Sequence, residues 1–204
     1  MRDYSHFDQY INELLDDIYP QPDSPGHIDM ARHVVVEWVS KLEINTVLDV
    51  GCGEAFCQEL FEPLGFEYLG ICLGEDYYNA KNKGKTVEQV DFNFLPYKDE
   101  SFDLVWSRHS LEHSPMPLFT LFEWHRVAKN YLCLILPQPK YFSWSCPNHY
   151  GIMALGQART LLKRAGWRPF WEDHSNEQEY RFMCGKVDRV ATYTEEYTDK
   201  ELEK

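Results

Sequence analysis

The stretch Thr46-Val-Leu-Asp-Val-Gly-Cys-Gly-Glu54 constrains the fold more than any other part of the chain. Val47, Leu48 and Val50 make a nearly continuous apolar run, the pattern of a strand buried on both faces. A Gly-x-Gly turn follows at once. Gly51 and Gly53 allow a sharp bend and let the backbone approach a ligand where a side chain would collide. Glu54 to Leu60 then reads as a helix, so strand, glycine turn and helix form the first half of a nucleotide-binding βαβ unit. Asp49 sharpens the reading. An acid inside a buried strand needs a partner, because desolvating it alone costs roughly several kcal/mol. A dinucleotide-binding G-x-G-x-x-G is disfavoured, since Phe56 stands at the place of the third glycine.

The rest of the chain alternates in the same manner. Ser5 to Ile18 and His27 to Leu42 carry apolar residues at helical spacing, with the turn-forming Tyr19-Pro-Gln-Pro-Asp-Ser-Pro-Gly26 between them. Further strands are expected at Phe66–Ile71, Thr86–Val90, Phe102–Trp106 and Tyr131–Leu136. Helices are expected at Tyr77–Lys83, Pro117–Lys129 and Met153–Ala165. Trp167–Trp171 and Tyr180–Cys184 follow one another without a helix, which suggests an antiparallel edge hairpin. Strands alternating with helices imply a mostly parallel sheet covered on both faces. The expected organisation is a helical extension over residues 1–26, one α/β domain over 27–186 and an acidic tail over 187–204.

Charge excludes some functions. The net charge is −13, with 33 acidic and 20 basic side chains, and residues 1–26 hold six acids against one base. There is no basic stripe to track a phosphate backbone, so nucleic acid is not an expected partner. Lys81-Asn-Lys-Gly-Lys85 is the one short basic run and reads most simply as a solvated turn. Six scattered cysteines without a C-x-x-C pair suit buried thiols of a reducing compartment. No apolar run approaches the roughly 18 residues of a membrane span. These features predict a soluble, cytoplasmic protein without a membrane partner.

The V-L-D-V-G-C-G stretch resembles motif I of the class I S-adenosylmethionine (SAM)-dependent methyltransferases. Leu95-Pro-Tyr-Lys-Asp-Glu-Ser-Phe-Asp-Leu-Val105 resembles that family's L-P-F-x-D-x-S-F-D-x-V, in register with motif I. The resemblance covers about residues 27–186. It implies a Rossmann-like three-layer sandwich with a mostly parallel seven-stranded sheet and an antiparallel edge hairpin, binding SAM and releasing S-adenosylhomocysteine. It further implies that Asp49, Gly51, Cys52 and Gly53 hold the ligand's amino-acid end. Asp91 is then expected to accept from the adenine amino group, with the backbone of Phe92 beside the ring. Ser107-Arg-His-Ser-Leu-Glu-His113 would lie near the sulfonium.

One departure concerns the ribose. The family commonly has an acid after the second strand, in a G-x-D pattern. Here Gly70-Ile-Cys-Leu-Gly-Glu-Asp76 places Cys72 there, similar to the G-x-T-L-S variant of cyclopropane-synthase-like enzymes. A thiol is a weak partner for a diol, so Cys72 and Leu73 line the position and Glu75 is expected to reach back to the ribose. A helix-capping Glu75 facing water is the competing reading.

His109 and His113 are the candidate catalytic residues, as a base or in orienting the acceptor. Their i, i+4 spacing also suits two metal ligands on one helix face, with Cys146, His149 or His125 as a third. Pro115 shortens any such helix and no H-E-x-x-H motif is present, so no metal is expected. After the fifth strand, Tyr141, Phe142, Trp144 and Tyr150 form either an apolar acceptor wall or the core of a small cap. Asn148 and His149 are polar handles there. The function expected is methyl transfer from SAM to a small or modestly polar acceptor, chiefly by positioning. A SAM-binding regulatory subunit without transferase activity is the alternative. Nothing in the chain fixes the acceptor or the oligomeric state.

Overall fold

The computed structural model describes residues 24–140, 148–151 and 153–187. The expected helix at Ser5–Ile18, the acidic tail, and Tyr141, Phe142, Trp144 and Cys146 lie outside the described residues.

Twelve helices and strands are described in chain order. They are α1 (Pro25–Glu37), β1 (Thr46–Val50), α2 (Gln58–Phe61), β2 (Glu67–Cys72), α3 (Gly74–Asn82) and β3 (Val87–Gln89). There follow β4 (Phe102–Arg108), α4 (Pro117–Val127), β5 (Ala128–Pro137), α5 (Leu155–Arg164), β6 (Trp167–Asp173) and β7 (Glu179–Lys186). The sheet has seven strands in the order β3-β2-β1-β4-β5-β7-β6. The first five run parallel, and β7 lies antiparallel to both β5 and β6. That is the mostly parallel sheet with an edge hairpin that the strand pattern predicts.

Side-chain alternation separates the core into two layers. Leu48, Val50, Val105, Leu132 and Leu134 face one way, against Leu121 and Trp124 of α4 and Leu162 of α5. Val47, Leu104, Trp106, Cys133 and Ile135 face the other way, against Val34 and Val35 of α1 and Phe61 of α2. Asp49 shares the face of Val47. At the opposite end of the sheet, Asp103 accepts from the backbone of Asn45 and Thr46, at 2.9 and 3.0 Å, and pins the entry of β1 to β4.

The strands and most helices lie within a few residues of their expected positions, with two larger shifts. The helix expected to reach Leu42 ends at Glu37, and a 3₁₀ turn, Val39–Lys41, follows it. The helix expected from Glu54 begins only at Gln58. Ala55 has φ +62°, a left-handed conformation that no helix continues through, so the glycine turn runs on for four more residues. The basic run also finds its role. Lys83 pairs with Glu54 and Lys85 with Glu59, which ties the end of α3 to the segment after the glycine turn.

Candidate functional site

Strand order reverses between β1 and β4, and in open α/β sheets ligands bind where the carboxyl ends of the strands diverge. The segments after β1, β2, β3 and β4 all leave the sheet at this end.

After β1, the amides of Gly51 and Cys52 both donate to the Ile71 carbonyl, at 2.9 and 3.0 Å, folding the turn back over β2. Gly51 has φ +70°, and a Cβ there would lie 2.4 Å from Ser110 Oγ. Only glycine fits. Gly53 has φ +55°, but the nearest atom to a Cβ would be Asp76 Oδ2 at 3.9 Å, so the backbone borders open space. Asp49 accepts from the Tyr68 hydroxyl at 2.7 Å, which supplies the partner its burial requires. The Cys52 thiol is buried beside that of Cys72, and burial raises its pKa. It packs against Gly70. The side chains of Cys52 and Cys72 are therefore core groups, and the Cys52 thiol lies 3.5 Å from the Gly53 carbonyl, on the inner side of the turn.

After β2, Leu73 caps α3 in extended conformation. Glu75 and Asp76 sit in the first turn with opposite environments. Glu75 is exposed, whereas Asp76 is 7% exposed and approaches Gly53. Of the two acids it is Asp76, not the expected Glu75, that faces the turn.

After β3, Asp91 Oδ1 accepts from the backbone and side-chain nitrogens of Asn93, both at 2.8 Å, an Asx turn. Burial raises the Asp91 pKa against the pull of these bonds. The Phe92 carbonyl takes the Trp124 indole N–H at 3.0 Å, and the ring stands opposite Gly51. Both bonds fall on Oδ1, and Oδ2 takes no part in the Asx turn.

After β4 the structure departs most from expectation. Ser107 is fully buried within the sheet, paired with Val50, and Ser110 instead closes the glycine turn, donating to the Val50 carbonyl at 2.9 Å. His109 and His113 share no helix face. His109 has φ +52°, and only a single 3₁₀ turn, Leu111–His113, follows. The two imidazoles accordingly belong to different clusters.

His109 Nε2 lies 3.0 Å from Glu179 Oε1 on β7, and Arg108 Nη2 reaches the same oxygen at 2.7 Å. Arg181 binds Glu179 Oε2 and Asp173. Burial drives the His109 pKa down to about 4, against the attraction of Glu179. Burial alone would raise Glu179, but His109, Arg108 and Arg181 together hold it at about 2. The imidazole is neutral at pH 7 and the carboxylate ionised.

The second cluster joins Glu112, His113 and His149, whose ligand atoms lie within 4.8 Å of one another. His113 Nδ1 is 3.1 Å from the Asn148 carbonyl. Burial and the neighbouring His149 lower the His113 pKa to about 4, and burial lowers that of His149. Asn148 and His149 are half-buried and Tyr150 is exposed. His125 is not part of this group; its Nε2 lies 3.0 Å from the Val187 carbonyl. Glu112, Asp76, Ser110 and Glu179 are the residues sequence reasoning passed over.

Residues 48–133 match the family model described as a methyltransferase domain. The matched residues run from within β1 to within β5 and include the glycine turn. The fold agrees. A SAM-dependent methyltransferase from Aquifex aeolicus superposes with a TM-score of 0.67 at 22% identity, covering 92% of this chain and 100% of that one. The 1,6-didemethyltoxoflavin-N1-methyltransferase of Burkholderia thailandensis, solved with S-adenosylhomocysteine, gives 0.63 at 14% identity, covering 79% and 78%. Among curated sequences, the ubiquinone biosynthesis O-methyltransferase of Hydrogenovibrio crunogenus is 25% identical over 130 residues, which is 58% of this chain and 53% of that protein. The chain thus spans about half the length of the curated relatives it matches. No helix among the described residues is long and apolar enough to cross a membrane.

The residues around the turn fit SAM. Open space beside Gly53, a buried acid at its rim in Asp76 and an aromatic ring at Phe92 supply a cradle, a polar contact and a stacking face. When bound, SAM supplies an electrophilic methyl group.

Proposed function

We propose that this protein transfers a methyl group from SAM to a small acceptor bearing a polar atom. The observation that carries the reading is the contrast between the two glycines of the turn. The space at Gly51 is filled by Ser110, as structure demands, while the space at Gly53 is left open beside an acid, as a ligand demands. In this reading the turn Gly51–Gly53 and Asp49 hold the amino-acid end, Asp76 the ribose, and Asp91 with the Phe92 backbone the adenine. Cys52, Cys72 and Leu73 contribute backbone only. Positioning supplies much of the rate, since effective molarities of oriented reactants are large. His109 and His113, kept neutral by burial, offer imidazole lone pairs for an acceptor proton. Asn148 and His149 border the acceptor side, and Tyr141 and Trp144 are proposed to extend it.

Calorimetry tests the cofactor. SAM and S-adenosylhomocysteine are expected to bind with one site per chain and NAD to give no heat; preferential NAD binding overturns the assignment. Incubation with labelled SAM and fractionated metabolites tests transfer itself. Binding without turnover across hydroxyl, amine and carboxylate acceptors favours the regulatory reading.

A further inference from the structure

We propose that Glu112, His113 and His149 form a site for one divalent transition-metal ion. The site is built from two segments. Glu112 and His113 are consecutive in the 3₁₀ turn after β4. His149 comes from a strand-free segment that two contacts fasten to that turn: the Gly151 amide donates to the Glu112 carbonyl at 2.9 Å, and the Asn148 carbonyl lies 3.1 Å from His113 Nδ1. These contacts bracket His149 on both sides, so its ring is held against that of His113, with centroids 4.7 Å apart and planes at 71°.

The chemistry of each donor agrees. Toward a carbonyl, His113 Nδ1 must carry the hydrogen, which leaves Nε2 with its lone pair and fixes the ring's orientation. A metal-binding histidine is ordinarily held by such a bond. Glu112 is 1% exposed, and its Oε2 is a buried carboxyl oxygen without a hydrogen-bond partner. Buried polar atoms are almost always paired, so this oxygen marks a place where something binds.

Two imidazoles and one carboxylate suit zinc, iron, cobalt or manganese better than magnesium or calcium, which prefer all-oxygen shells. Metal–ligand bonds of about 2.1 Å place tetrahedral ligands about 3.4 Å apart, so the group closes slightly on loading. Three protein ligands leave at least one position open. On the methyltransferase reading, the ion takes over the role of the His113 lone pair: the open position takes an oxygen of the acceptor and lowers its proton affinity, which narrows the acceptor class to hydroxyl compounds.

The test uses full-length protein without a polyhistidine tag, stripped by chelator and titrated with Co²⁺ and Zn²⁺. One ion per chain is expected, and the Co²⁺ complex should show visible d–d bands without a thiolate charge-transfer band. Glu112→Gln and His149→Ala are each expected to weaken Co²⁺ binding at least hundredfold, while the exposed His33→Ala binds as the parent does. Thermal melts of the stripped variants check folding; should Glu112→Gln fail to fold, His149→Ala, at a half-buried position, carries the test. Absence of stoichiometric binding, a thiolate band, or binding by the folded variants within threefold of the parent overturns the site. S-adenosylhomocysteine binding is measured on the same samples. Cofactor binding without metal binding removes the metal site alone, and metal binding without cofactor binding removes the methyltransferase reading alone.

Discussion

The two halves of the sheet's carboxyl end satisfy their buried polar groups by different means. Around β1, β2 and β3, neutral groups do the work: Tyr68 donates to Asp49, Asn93 to Asp91, and Ser110 to the Val50 carbonyl. Around β4 and β7, charges face charges: Glu179 holds Arg108 and Arg181, with His109 beside it. The first arrangement is local and repeated from strand to strand, and a glycine turn can be grafted onto it with little change. The second is a single mutually dependent cluster, and breaking one member strands the others. The half proposed to hold the cofactor is therefore tolerant, and the half proposed to border the acceptor is brittle.

The largest effect is expected where the brittleness is concentrated. Glu179→Gln leaves the Arg108 guanidinium without its counter-charge and Arg181 with Asp173 alone, and removing one partner of a buried ionic group costs about 3–5 kcal/mol. Urea denaturation at pH 7 should register that loss with an unchanged slope. A loss under about 1 kcal/mol would mean that water reaches the cluster, and the contrast between the halves would collapse.

Acid sharpens the same contrast. The His109 pKa is about 4 when folded, against an ordinary value of about 6.5. The unfolded chain therefore takes up a proton that the native protein refuses, and stability falls as pH drops from 6.5 to 4, by about 3 kcal/mol for this one group. Glu179 acts lower. Its folded pKa of about 2 contributes stability that is complete above the unfolded value of about 4.5 and is lost as pH falls toward 2. In chelator-treated protein, His109→Gln should flatten the stability profile between pH 6.5 and 4 by about one proton and leave the steeper loss below 4.5. An unchanged slope would show that His109 titrates in its ordinary range.

The glycine turn separates structure from binding within the tolerant half. Gly51→Ala drives a methyl group into Ser110 and should cost about 1–3 kcal/mol, as overpacking does. Gly53→Val meets open space, so its cost is the left-handed backbone alone, about 1–2 kcal/mol. Yet Gly53→Val should abolish SAM binding in calorimetry while the chain remains folded. Retained binding would place the ligand elsewhere.

The same contrast explains what was legible in the sequence. The first strand, its turn and the Asp91 strand end could be read directly, because each is specified by residues within ten positions of one another. The helix expected at Glu54 was displaced because Ala55 adopts a left-handed backbone, which nothing in an Ala-Phe-Cys run announces. The i, i+4 pairing of His109 and His113 failed for the same reason at His109. Glu179 was invisible because its meaning depends on Arg108, 71 residues earlier in the chain. Glu112 stands in the L-E-H motif without a visible role, since its burial and its closeness to His149 arise only when the segment at 148–151 folds over the 3₁₀ turn.

The smallest effect decides between two adjacent acids. The sequence pattern favoured Glu75 for the ribose that Cys72 cannot bind. The structure turns Glu75 to solvent at the first turn of α3 and buries Asp76 against the open side of Gly53. A hydrogen bond from a diol to a charged group contributes about 1.5–3 kcal/mol, which is roughly tenfold or more in affinity. Asp76→Asn keeps the shape and one acceptor oxygen but removes the charge, so SAM binding should weaken by about tenfold. Glu75→Gln should bind within about threefold of the parent, under 1 kcal/mol. Cys72→Asp does not rescue Asp76→Asn in this scheme, because the thiol at position 72 packs beside Cys52 in the core and an acid there would be buried away from the turn. If instead Glu75→Gln weakens binding and Asp76→Asn does not, the first turn of α3 must rotate when ligand enters. The cofactor half would then be the mobile one, and the contrast with the charge-locked half would be one of motion as well as of tolerance.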